Sequence, residues 1–199
     1  MMLDMVHDIQ TAYRKLVDSM SRPGTISDLS EEAMKLEQSE GYLPATLIAA
    51  RMLLDTEVTF KVVSKREKEM TLALSQSTYA KEVELEEADF IFILSDAEPS
   101  DFIGALETAK IGELQDPHNS ATIIIETAGL SGGDGTKLLL SGPGIQTTAK
   151  AEIQVTNEWM AIRAERNNEF PLGMDLIFTD ASHRMLALPR TTQVMKEEV

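Results

Sequence analysis

Two glycine-rich stretches and two arginines carry most of the groups on which this 199-residue chain could base a reaction. Leu130-Ser131-Gly132-Gly133-Asp134-Gly135 sets several backbone N–H groups close together, the ingredient of a concave anion-binding nest. The stretch lacks the lysine–serine ending of a phosphate loop and the glycine spacing of a dinucleotide site. A tight turn, where glycine supplies positive φ without steric cost, is its plainer explanation. Ser141-Gly142-Pro143-Gly144-Ile145 has the same two readings, ligand cradle or chain reversal. Together the two stretches predict a glycine-rich hairpin over 130–145. Arg190 follows a strand end and offers a planar fork to a carboxylate or phosphate. It can equally pair with a local acid, and Asp175, which enters an apolar strand and so needs a partner, is the natural one. Arg22, beside Pro23 and Gly24, is a weaker anion candidate. The anion-binding candidates are thus Ser131, Gly132, Gly133, Gly142, Gly144, Arg190 and Arg22.

Other chemistries find little support. His7, His118 and His183 are scattered without metal-ligand spacing, so no metal site is expected. Neither Ser131 nor Ser141 sits in the frame of a nucleophile elbow. With no cysteine, the chain has no disulfide framework, thiol catalysis or thiolate-held zinc or iron–sulfur cluster. No catalytic residue is assignable from these patterns.

Charge narrows the partners. The net charge is −15, with 21 acids against 8 bases over residues 26–129 and nine acids with no base over residues 82–107. Nucleic-acid binding draws most of its affinity from phosphate neutralisation and shows the opposite sign, so that class is set aside. The acidic run reads as a solvated face, or as a patch that docks a basic partner. No apolar run approaches the length of a membrane span. The first residues, Met-Met-Leu-Asp-Met-Val-His-Asp, lack a signal-peptide layout. A cytoplasmic location is the expectation.

The elements that must position these residues follow from periodicity. Apolar residues from Asp4 to Met20 fall on one helical stripe, Met5, Ile9, Ala12, Tyr13, Leu16, Val17 and Met20, ended by Ser21-Arg22-Pro23-Gly24. That helix packs on its own core or crosses a dimer seam. Residues 28–41 read as polar and loosely structured. Leu43–Asp55 is a buried helix with Pro44 in its first turn. Val58–Val63, Asp89–Leu94 and Ala121–Thr127 are strands, the last one central. Helices are expected over Lys65–Gln76, with Met70, Leu72, Ala73 and Leu74 near the core, and from Pro99 to Ala109. Another is expected from Glu158 to Asn168, with Trp159, Ile162 and Ala161 inward and Arg163 and Arg166 outward. Residues 146–155 resist assignment. Met174–Thr179 and Met185–Leu188 flank a polar turn as a β-hairpin, which Pro189 ends by removing a backbone donor. Residues 193–199 read as a frayed polar tail. Strands alternating with helices and finishing in hairpins predict a single α/β domain over 1–199, a three-layer sandwich with a mixed sheet covered by helices.

One set of residues is more specific in combination than singly. FPLGMDLIFTD followed by LALPRTT, with LSGG, LSGPGI and a first helix ending SMSRPG, resembles the PhnH family of the bacterial carbon–phosphorus lyase system. The likeness spans residues 1–25 and most of 121–194. One departure is Ser120, where the family pattern suggests a glycine before Ala121-Thr122. The resemblance implies a domain similar to pyridoxal-phosphate-dependent transferases but without that cofactor. Lys137 and Lys150, the lysines near the glycine-rich region, have no evident partner for a pyridinium nitrogen. It also implies a homodimer that works with sister proteins G, I, J and L. With G, I and L it would replace the base of a purine nucleoside triphosphate with alkylphosphonate, making ribose 1-alkylphosphonate 5-triphosphate for a radical iron–sulfur lyase. Three roles then stand open. The chain is a mainly structural subunit inactive alone, a subunit whose glycine loops and arginines bind substrate directly, or a pyridoxal-type enzyme that keeps its cofactor.

Overall fold

Thr122–Thr127 (β5) is an apolar run with isoleucines on both faces, and the sheet is laid out around it. The computed structural model describes residues 3–36 and 41–197. A seven-stranded sheet contains β1 (Ile26–Asp28), β2 (Thr59–Val63), β3 (Lys81–Glu82), β4 (Phe90–Ile93), β5, β8 (Asp175–Asp180) and β9 (Arg184–Leu188). Its order is β1-β9-β8-β5-β4-β2-β3, so β5 is the middle strand. Strands β3, β2, β4, β5 and β8 run parallel, while β9 and β1 add antiparallel pairings at one side. The expected hairpin is present, with Leu176 opposite Leu188 and Thr179 opposite Met185.

Alternation along the strands divides the core in two, because successive side chains point to opposite faces. Ile124, Ile177, Phe92 and Ala187 meet one layer, formed by α1 (His7–Ser21), α2 (Ser30–Ala33), α3 (Pro44–Leu53) and α4 (Glu67–Thr78). Ile123, Ile125, Phe178 and Leu188 meet the other. There α5 (Pro99–Thr108) and α6 (Glu158–Arg166) share the face with a second, three-stranded sheet. That sheet has β6 (Thr136–Ser141) between β10 (Gln193–Lys196) and β7 (Ala149–Ile153). Trp159 of α6 packs on Phe178 with ring centroids 5.2 Å apart and planes tilted by 58°, a geometry that aromatic quadrupoles favour.

Several expectations are corrected. Residues 130–145 do not form a hairpin with each other. Their first half is a loop, their second half is β6, and the partner strand β7 comes from the unassigned stretch 146–155. Short strands of mixed polarity such as Ala149-Lys150-Ala151-Glu152-Ile153 bury only alternate residues, and here these are Ala151 and Ile153. Gln193–Lys196 is not frayed. It pairs antiparallel with β6, its polar side chains facing outward from a satisfied backbone. Part of the supposedly loose 28–41 forms the end of β1 and α2, and its residues 37–40 lie outside the described residues, as do 198–199 of the tail. Leu72 and Ala73 are exposed, and Met70, Thr71 and Leu74 form the buried side of α4.

Arg163 is the largest single correction. Placed outward from the sequence, it is 3% exposed. Its Nη1 donates to the Thr192 carbonyl at 3.0 Å and its Nη2 to the Pro189 carbonyl at 2.6 Å. Burial pulls its pKa down to about 10, with Asp175 pulling the other way, so it stays cationic at neutral pH. The Pro189-Arg190-Thr191-Thr192 segment leaves β9 and supplies little apolar surface, and this guanidinium holds it in place. Arg163→Ala leaves both carbonyls without that donor and is expected to cost about 2–4 kcal/mol in urea denaturation. Arg166→Ala, on the half-buried side of the same helix, is expected to cost less.

Candidate functional site

The candidate residues fall at opposite ends of the sheet. Ser131, Gly132 and Gly133 follow the carboxyl end of β5. Gly142 and Gly144 lie beyond the far end of β6, whose six residues span roughly 20 Å. Arg190 is at that same far end, beside the start of β8. The two glycine loops and Arg190 therefore do not form one site.

Strand β8 carries an aspartate at each end, and each meets an arginine. Asp175 Oδ1 accepts the Arg190 backbone N–H at 2.6 Å, and its Oδ2 accepts Arg190 Nη2 at 2.7 Å. Arg190 Nη1 donates to the Pro117 carbonyl at 2.8 Å. The tie read from the sequence is present, and the fork that was a candidate phosphate clamp is engaged by the chain itself. Asp180, 1% exposed, accepts Arg184 Nε at 2.8 Å and Arg184 Nη2 at 2.6 Å. It also takes the backbone N–H groups of Ser182, Arg184 and Leu130, closing the turn in which His183 adopts φ of 60°, a left-handed conformation. Arg184 Nη1 reaches Ser131 Oγ. The start of the first glycine loop is thus clamped to the hairpin.

The nest in that loop already holds an anion. Glu152 of β7 points into it, and its Oε1 accepts Gly133 N–H at 2.9 Å and Gly135 N–H at 3.3 Å. The Gly133 bond is the main reason its carboxyl lies below the usual glutamate range, with help from Gly135 and Gly132. Gln154 packs so closely over Gly129 and Gly133 that a Cβ at either would crowd its amide. The second loop serves backbone contact. Gly144, at φ +82°, lies against the Ser21 carbonyl, and Gly142, at φ +125°, against the Thr191 carbonyl. Arg22 pairs with Asp18. SMSRPG, LSGPGI and PRTT, separate in sequence, thus meet at one end of the fold.

A cleft of about 450 Å³ opens outside the carboxyl ends of β4 and β5, the side on which open α/β sheets hold their ligands. Leu43, Phe102 and Val155 wall it, and Ser95, Glu126 and Gln154 provide polar groups. Glu126, 6% exposed, accepts Leu43 N–H at 2.8 Å and Ser95 N–H at 3.0 Å. No lysine, arginine or histidine lines the cleft among the described residues. The sequence reading missed Glu126, Glu152, Asp180 and Arg184 as organising residues. An acid ending the run Ile123-Ile124-Ile125 was the available signal, since a buried carboxylate requires donors. Among the described residues no group of three or more acids or histidines could hold a metal ion, and no helix is long and apolar enough to cross a membrane.

Fold and site define a mixed-sheet α/β domain whose anion-binding groups are mostly satisfied from within. The chain belongs to the PhnH family, bacterial phosphonate metabolism proteins, whose profile matches residues 2–195. It is similar to the alpha-D-ribose 1-methylphosphonate 5-triphosphate synthase subunit PhnH of Rhizobium meliloti, with 29% identity covering 98% of this chain and 94% of that protein. It is also similar to HtxG of Stutzerimonas stutzeri, named as a proposed C-P lyase subunit protein, with 28% identity over 93% of this chain and 85% of that one.

The nest makes a testable contribution to pH dependence. A carboxylate whose pKa is depressed in the folded state stabilises it above the unfolded value, here 4.5, and loses that contribution as pH falls through the folded value. Urea denaturation of wild type and Glu152→Gln across this range is expected to show a shallower acid-side decline in the variant.

Proposed function

We propose that the chain is a non-autonomous, mainly architectural subunit of a phosphonate-activating assembly. With sister proteins G, I and L it supports conversion of a purine nucleoside triphosphate and an alkylphosphonate into ribose 1-alkylphosphonate 5-triphosphate. The J protein is a further partner in this reading. The relatives' names supply the pathway. The observation that carries the architectural role is the engagement of the candidate anion groups within the chain. Glu152 fills the nest, Asp175 and the Pro117 carbonyl take the Arg190 fork, and Asp18 takes Arg22. Displacing Glu152 for a free phosphate would bring a second anion to the mouth of the same nest, at a cost in like-charge repulsion.

The same reading includes a homodimer working in the cytoplasm, and a fold similar to pyridoxal-phosphate-dependent transferases without their cofactor. An absorbance scan of the purified protein tests the last point, a band from an internal aldimine being the contrary result. Isothermal titration of the isolated chain with ATP and with methylphosphonate is expected to give no heat of binding at millimolar ligand. Base release is expected only when the sister proteins are added. Millimolar or tighter binding, abolished by Arg190→Ala with the fold intact by circular dichroism, would overturn the architectural role in favour of direct substrate binding.

A further inference from the structure

Buried acids in this fold are matched by cations, with one exception. Glu32, Glu126 and Asp180 are the acids buried among the described residues. Lys15 meets Glu32 at 2.8 Å, and Arg184 meets Asp180 at 2.6 Å. Glu126 has no ion pair among the described residues. Its Oε1 accepts Leu43 N–H and its Oε2 accepts Ser95 N–H. Those bonds fix the carboxylate, but both donors are neutral, and a carboxylate has about four acceptor sites. Leu43 is also the N-cap of α3, whose end supplies the equivalent of roughly half a positive charge. Net negative charge and spare acceptor capacity are left on the wall of the cleft.

The rest of that wall differs in kind. Leu94, Ala97, Pro99, Phe102 and Val155 present hydrocarbon to the cleft. The Thr127 hydroxyl, at the same strand end as Glu126, donates to the Thr179 carbonyl and is spent within the sheet. The site thus pairs one held carboxylate with an apolar lining.

We infer that the cleft is a binding site for a small organic cation, an amine, amidinium or guanidinium on an apolar body, with Glu126 as its counter-ion. Hydrogen bonds from a charged N–H to a carboxylate are roughly twice as strong as neutral ones. Apolar walls around the pair keep out the water that would screen it. A divalent metal does not fit, because Glu126 is the one acid among the lining residues and such ions take several oxygen ligands. Size points to a free small molecule. The cleft, at about 450 Å³, lies within the ~300–1,000 Å³ of small-molecule sites, more than a single inserted side chain fills. The inference goes beyond the architectural role and does not rest on it. ATP and methylphosphonate are anions, so their silence in titration leaves this site untouched.

With a net charge of −15 the chain also gathers cations over its acidic face, and location separates the two effects. Benzamidine, an aryl amidinium, is titrated into the isotope-labelled full chain and followed by amide chemical shifts. Saturable shifts are expected at Ala97, Ala128 and Gln154, with a Kd of about 1 mM or tighter. Benzamide, of the same shape but neutral, is expected to bind at least about tenfold more weakly. Glu126→Gln, with circular dichroism unchanged, is expected to weaken benzamidine to the level of benzamide, while Glu84→Gln in the acidic run leaves it unaltered. No shift at the cleft, shifts confined to residues 82–107, equal affinity for benzamide, or full binding by Glu126→Gln would overturn the inference. Should Glu126→Gln unfold, Thr156→Trp decides. That exposed residue lines the cleft, so the indole is expected to abolish the shifts, and undiminished binding would be the contrary result.

Discussion

The pairing of β5 with β8 is the constraint on which the rest of this structure depends. Both strands are buried on both faces, so every backbone polar group between them must be met within the ladder. Six residues of each are in register, from Thr122 opposite Asp175 to Thr127 opposite Asp180. The aspartates that bound β8 lock the adjoining hairpin at both ends, through Arg190 and Arg184. A slip of one residue would turn every side chain to the wrong face. It would also part Asp180 from the Leu130 N–H that follows β5, leaving a buried donor unmet at a cost of about 1–3 kcal/mol.

From that hairpin the constraint spreads outward. Asp180 also takes Leu130 N–H, so the exit from β5 is tied to the turn after β8. Arg163 fastens the segment after β9, from which the chain returns as β10 against β6. The segment also abuts Gly142, whose loop touches the end of α1 through Gly144. The segments SMSRPG, LSGPGI and PRTT thus sit where distant parts of the chain come into backbone contact. Their chemistry, glycine without a Cβ and arginine with several donors, suits both close packing and ligand capture, and here the geometry uses it for packing. This internal engagement is the basis of the proposed architectural role.

The sequence made much of this legible, and the misses have physical causes. Strands buried on both faces announced themselves as continuous apolar runs at Phe90–Leu94 and Ala121–Thr127. The Asp175–Arg190 tie followed from one acid in an apolar strand and one arginine past its hairpin. Strands with only one covered face, β7 and β10, were not legible, because alternating polarity over four or five residues is hard to tell from a loop. Arg163 was read as outward because a helix wheel ranks arginine as polar. It cannot foresee that a passing loop will bring two carbonyls to the core side.

Residue type and spacing by themselves determined the composition limits, the main helices and buried strands, the hairpin and the family. Tertiary structure alone decided which groups are already partnered. A glycine-rich loop can set its backbone N–H groups as an anion nest in any chain. Whether it is open or filled depends on where a carboxylate 17 or more residues away is carried by another strand, as Glu152 is carried to Gly133 and Gly135. Local sequence encodes backbone preference, and occupancy arises from contacts between segments whose meeting no local pattern records.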